Sequence, residues 1–161
     1  MSKSTNFLAI GALVAFAAVN TASAQVTQTV TFQVSAINQI AVTGTPSLTI
    51  SAAVAGSAPT SVTSAANTWA VTTNQITASI TASIPLAMPA GLTLSANLTA
   101  PAGATSAGLI ALGTTAVNVV TGITKLNSAA LGLTYQLDAT AAAGVVSSST
   151  RVVTYTITGG I

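Results

Sequence analysis

Ile76-Thr77-Ala78-Ser79-Ile80-Thr81-Ala82-Ser83-Ile84 alternates apolar and hydroxyl side chains without a fault. Successive side chains of an extended strand point to opposite faces. This stretch therefore presents Ile and Ala to one side and Thr and Ser to the other, the pattern of a half-buried strand. Pro85 and Pro89-Ala90-Gly91 end it.

The same period recurs on both sides. Val26, Val30, Phe32, Val34, Ala36, Ile40 and Val42 share one parity, with Thr27, Thr29, Thr31, Gln33 and Ser35 on the other. That predicts a strand about twice the usual length, bending or switching sheets near Asn38. Gly44-Thr45-Pro46 turns the chain, and Leu48, Ile50 and Ala52 alternate again before a Gly/Ser/Pro/Thr-rich loop at 55–64. Trp69 and Val71 mark a short strand closed by Asn74. Leu92 to Leu98, Val117 to Val120, Leu131 to Ala139 and Val153 to Ile157 mark four more. Between them lie a loop at 101–108, an expected loop from Gly122 to Ser128, and a turn at 141–148. Strands 131–139 and 149–157 could form a hairpin, with Asp138 and Arg151 on neighbouring strands. No later segment has a convincing helical period, although Ala139–Ala143 could wind briefly. Seven to nine strands at roughly 8–15-residue spacing predict an all-β, Ig-like antiparallel sandwich, with a closed barrel as the alternative.

Residues 1–24 read as a cleaved signal peptide. Lys3 supplies the positive start, Phe7 to Val19 the apolar run, and Ala22-Ser23-Ala24 the small-residue cleavage site. The run is well short of the ~20 residues that span a bilayer, so no membrane span is expected after cleavage. Residues 25–161 then form a single sandwich domain, secreted to the periplasm, the cell surface or the extracellular medium. The chain has no Cys, so its core must form without disulfides. A secreted chain without Cys is more typical of bacteria than of animals.

Charge is the odd feature, at 2% of residues beside 50% hydrophobic. After residue 24 the charged side chains are Lys125, Asp138 and Arg151, and the chain has no His. Nucleic-acid binding needs clustered Lys and Arg, and there is no cluster. Acid–base catalysis needs His or paired carboxylates, and a glycosidase needs two carboxyl groups. Ser and Thr have no His base, which leaves only a formal Ser–Lys125 dyad. Zinc, copper and iron ligand sets are missing, and one Asp makes at most a weak Ca²⁺ site. The residues thus predict a non-enzyme with no cofactor and no metal.

Smaller signals have bland readings beside sharper ones. Lys125, Asp138 and one of Asn38, Asn67, Asn74, Asn97, Asn118 or Asn127 are the ingredients of an internal Lys–Asn amide bond; an exposed Lys125 loop is the plainer reading. Trp69 could be a sugar-binding platform or a core residue. Tyr135 and Tyr155 share parity with apolar neighbours and read as core. The hydroxyl row at 77, 79, 81 and 83 resembles a flat ice-binding array, or is a solvated face. Asn97-Leu98-Thr99 is a lone glycosylation sequon.

Free sheet edges template pairing with other chains, and soluble β-proteins blunt them with charge or Pro. Here almost no strand carries a charge. At this point the chain resembles the pilin-type and coat-type subunits of bacterial surfaces, which are secreted Ig-like sandwiches of similar size. Two segments carry the resemblance. One is Gln25–Ile37, where Val30, Phe32 and Val34 could act as a donor strand. The other is Arg151-Val152-Val153-Thr154-Tyr155-Thr156-Ile157, which resembles the alternating end strand by which such subunits are handled during export. The family's frequent disulfide is missing here, and Gly159-Gly160-Ile161 extends beyond the Tyr. The resemblance implies self-association, or association with other surface proteins, by strand donation through Val30, Phe32, Val34, Val153, Tyr155 and Ile157. Otherwise both segments are ordinary strands of a self-contained monomer. The rival function is an adhesin-like or carbohydrate-binding module working through Trp69 or the loops at 55–66 and 100–108.

Overall fold

The computed structural model describes residues 23–160. The signal-peptide reading of residues 1–24 thus lies, apart from Ser23 and Ala24, outside the described residues. The chain divides into two units, Met1–Gln33 and Val34–Ile161. In the first, the described residues 23–33 form neither helix nor strand and are exposed.

The second unit is the expected all-β sandwich of two antiparallel sheets. Its strands are β1 (Asn38–Thr43), β2 (Val62–Thr63), β3 (Asn67–Thr73), β4 (Ile76–Ser83), β5 (Leu92–Leu98), β6 (Thr105–Ser106), β7 (Ile110–Ala111), β8 (Val117–Ile123), β9 (Leu126–Ala139) and β10 (Thr154–Gly160). Seven of these run six residues or more, and three are two-residue pairings. One sheet has the order β1-β3-β9-β5-β7, with β2 also on β9; the other is β10-β4-β8-β6. The only helical element among the described residues is a 3-10 turn at Ala141–Ala143.

The core follows the alternation. Ala78, Ile80, Ala82 and Ile84 point inward from β4 and the residue after it. They meet Trp69, Val71, Leu94, Leu98, Val119, Ile123, Leu133 and Tyr135. Small Ala alternating with bulky Ile lets the two sheets interdigitate.

Two paired strands switch sheets together at one end. β3 leaves the first sheet through Asn74-Gln75 and becomes β4 of the second. β8 leaves the second through Thr124-Lys125 and becomes β9 of the first. The two turns are tied where the Lys125 amide donates to the Gln75 carbonyl at 2.9 Å. Thr77 and Lys125 have φ of 52° and 40°, in the left-handed region, which sharpens both bends.

This corner corrects several expectations. The long strand from Val26 to Val42 is paired only over Asn38–Thr43. Asn38 lies opposite Thr73, the last residue of β3, so earlier residues have no neighbour in that sheet. Leu48–Ala52 forms no strand, because β3 begins only at Asn67; just after it, Ala53 makes an isolated bridge to Pro59 and the Ala52 carbonyl accepts from the Thr60 amide at 2.8 Å. The loop expected at 122–128 is mostly strand. β9 starts at Leu126 and carries a bulge at Ala129–Ala130, with Ala130 at φ 55°, which resets its parity before Leu131. The expected hairpin of 131–139 with 149–157 does not form, since β9 and β10 lie in different sheets. Asp138 and Arg151 are therefore not cross-strand neighbours.

Candidate functional site

The two long sides of the sandwich are unlike. On one, the chain between β5 and β8 weaves across both sheets as β6 and β7, so each sheet ends there in a two-residue strand. That side is also stapled by side chains. Ser106 Oγ donates to the Leu98 carbonyl at 2.6 Å and accepts from the Gly108 amide at 3.0 Å. Short, covered edges cannot template another strand.

The other side is bounded by β1 and β10, which approach each other across the gap between the sheets. Among the described residues each pairs along one edge only, β1 with β3 and β10 with β4. Neither contains a charge or a Pro. Val153, Tyr155 and Ile157 are half-buried and pack on the core, with Tyr155 opposite Ala82 and Ile157 opposite Ile80. The Tyr155 hydroxyl donates to that of Tyr135 at 2.9 Å. Burial pushes both phenols above their ordinary range, and for Tyr155 the contact with Tyr135 adds to it.

Beyond the outer ends of β1 and β10 the side opens into a cleft of about 720 Å³. Residues 48–53 form one lip and 144–149 the other; Met88, Leu92 and Leu137 lie between them. Leu48 and Ile50 are half-buried, with Thr49 and Ser51 exposed. Arg151 closes off its lip by donating from Nε and Nη2 to the Ala87 carbonyl at 3.2 and 3.0 Å. A shallower depression lies at the corner, lined by Ile37, Thr73, Asn74, Lys125 and Asn127 among others.

The N-terminal segment joins the sandwich at that corner. Asn74 holds it, donating from Nδ2 to the Ser35 carbonyl and accepting at Oδ1 from the Ile37 amide, both at 2.8 Å. Before this tether, Val30, Phe32 and Val34 are 72%, 90% and 78% exposed. Three apolar side chains of one sequence parity are thus exposed on a backbone in no strand, with no Lys, Arg, Asp or Glu from Gln25 to Ile37.

The remaining candidates fall elsewhere. Trp69 is 1% exposed and packs in the core, so its indole offers no face to a sugar. Its Nε1 has no hydrogen-bond partner among the described residues. Lys125 sits in the corner turn, whereas Asp138 lies near the far end of β9, accepting from Ser61 Oγ and from Gln136 Nε2. Roughly 40 Å of strand separates them, so the acid does not stand beside the lysine. Among the described residues no group of His, Cys, Asp and Glu could hold a metal ion, and no helix is long and apolar enough to cross a membrane.

Sequence reasoning missed the cleft. Its residues come from β5, β9 and three irregular segments, and the only local hint was an alternating run, Leu48–Ala52, that forms no strand. No protein-family model, curated protein or solved structure matches the chain.

Proposed function

We propose that this chain is a non-enzymatic structural subunit, secreted and exposed at a bacterial surface, that assembles with further copies of itself by donating its N-terminal segment as a strand. One observation carries the reading: the exposed, alternating row of Val30, Phe32 and Val34 on a segment that belongs to no sheet. Apolar surface arranged with a strand's period is stabilised by adding to a sheet, where main-chain hydrogen bonds supply affinity and alternate side chains supply specificity. The near absence of charge supports it too, since a strand meant to be covered has no use for the charges that keep edges apart. The side-chain inventory supports a non-enzymatic role, with neither His nor paired carboxylates available for acid–base work. Secretion is supported by the pattern of residues 1–24 alone.

The test is light scattering on residues 25–161 over a concentration series, beside a variant lacking residues 25–36. The intact chain is expected to grow into multimers and the deletion variant to remain monomeric with an unchanged β-sheet circular dichroism spectrum. An intact chain that stays monomeric at every concentration, or a deletion variant that polymerises normally, would sink the proposal.

A further inference from the structure

We infer that the outer face of the second sheet binds the ordered water of an ice surface, through hydroxyl rows on β10, β4 and β8 and independently of strand donation.

The sequence shows one such row, and strand pairing turns it into an array. Tyr155 and Ile157 pack on the core, which leaves Thr154, Thr156 and Thr158 exposed on the outer side of β10. Register sets these three opposite Ser83, Thr81 and Ser79 of β4, whose Ala78, Ile80 and Ala82 are buried. The Ser79 and Thr158 hydroxyls share a hydrogen bond at 3.3 Å, so the two columns stand side by side on one face. β8 extends the middle row with exposed Asn118 opposite Thr81; farther along β8, Thr121 lies opposite exposed Thr105 of β6. Thr77, at φ 52°, stands in the corner bend before the array begins.

Strand geometry fixes the spacing. Outward side chains repeat every ~6.8 Å along a strand and every ~4.8 Å from strand to strand. Hexagonal ice repeats its oxygens at closely similar intervals along its two crystal axes, so a rectangle of hydroxyls with this spacing can take the places of lattice waters. Sheet twist limits such a match to a few strands, and three carry it here. Thr81, Thr154, Thr156 and Thr158 are β-branched and stiff at χ1, so their hydroxyls are held in place before any lattice is met.

Other partners fit the face less well. An ordinary solvated face mixes in Lys and Glu, but β4, β6, β8 and β10 contain no charged residue. Nucleic acid would need Lys and Arg there. Sugar rings stack on aromatic side chains, and the one aromatic of these strands, Tyr155, packs inward. The core of a protein interface is apolar, whereas this array presents hydroxyls and an amide. The first sheet offers no equivalent, since Gln39, Gln136 and Asp138 interrupt its outer face.

The test is uptake into ice grown slowly from a dilute solution of the 25–161 chain, beside an unrelated β-sandwich domain without such an array. The chain is expected to enter the ice several-fold more than that domain. Thr156→Lys and Thr81→Lys, each with an unchanged circular dichroism spectrum, should fall to its level. Thr72→Lys, which sets the same charge on the exposed side of β3, should be taken up like the parent, as should the variant lacking residues 25–36. Exclusion of the parent chain from ice would overturn the proposal. So would uptake that survives both array variants, that is lost equally in Thr72→Lys, or that needs residues 25–36. Retention on microcrystalline cellulose that Thr156→Lys abolishes, without ice uptake, would assign the face to a polysaccharide instead. Multimers lost in Thr156→Lys, again without ice uptake, would make it a contact between copies.

Discussion

At the residue scale the two tyrosines are the titratable groups whose burial matters most. Loss of water around them raises both phenols above their ordinary range, Tyr155 the more strongly. The sign follows from proton counts. Above about pH 10 the unfolded chain releases these protons while the folded chain keeps them, so folding is favoured below that pH and weakened as pH rises through it. Each phenol contributes a slope of at most about 1.4 kcal/mol per pH unit in that window. Thermal melts from pH 8 to 11.5 should therefore show the melting temperature falling above about pH 10, with a shallower fall in Tyr155→Phe. Equal slopes in the two proteins would mean that Tyr155 is not buried as described. Trp69 shows a different balance. It is 1% exposed, and the benefit of burying its large ring is set against an indole N–H without a partner, a cost of about 1–3 kcal/mol.

At the element scale the question is what lets long strands bend. The β3–β4 and β8–β9 pairs cross between sheets at residues without Gly or Pro, Asn74-Gln75 and Thr124-Lys125. Side-chain hydrogen bonds stand in for turn glycines there: Thr73 Oγ1 donates to Asn38 Oδ1 at 2.6 Å and accepts from the Gln75 amide at 3.0 Å. The β9 bulge places exposed Ala130 at φ 55°. A left-handed L-residue costs about 1–2 kcal/mol, against about 0.5–1 kcal/mol of extra chain entropy for Gly. Ala130→Gly should therefore raise unfolding stability by about 0.5–1 kcal/mol in urea titration. A loss of stability would show that the Ala methyl packs usefully at the bulge. Under the proposed strand donation the same accounting applies on a larger scale. Covering Val30, Phe32 and Val34 would contribute about 1.5–3 kcal/mol per side chain, opposed by the cost of ordering a free segment.

At the scale of the whole molecule the scarcity of charge sets what the proposed assembly should respond to. Lys125, Asp138 and Arg151 are the charged side chains after residue 24. Assembly through uncharged surfaces should depend little on screening. Multimer content is therefore expected to be nearly unchanged between low and about 0.5 M sodium chloride, and to rise in sodium sulfate, which strengthens apolar burial. Dissociation by sodium chloride alone would point to ion pairs in the contact and against an apolar donated strand.

What the sequence determined by itself was the class of structure and most of the core. Faultless alternation from Ile76 to Ile84 places Ala78, Ile80, Ala82 and Ile84 inward whatever strand lies beside them, because the period belongs to the backbone. Leu94, Leu98, Leu133 and Tyr135 were legible for the same reason. Tertiary structure alone decided which segments pair. Residues 26–37 and 38–43 carry one pattern, yet only the second lies beside β3, which turns away at Thr73. The Ala130 bulge hid the first residues of β9 by shifting its parity, and the open cleft gathers residues from 48 to 149. Pairing and clefts depend on contacts between distant parts of the chain, and no local period encodes them.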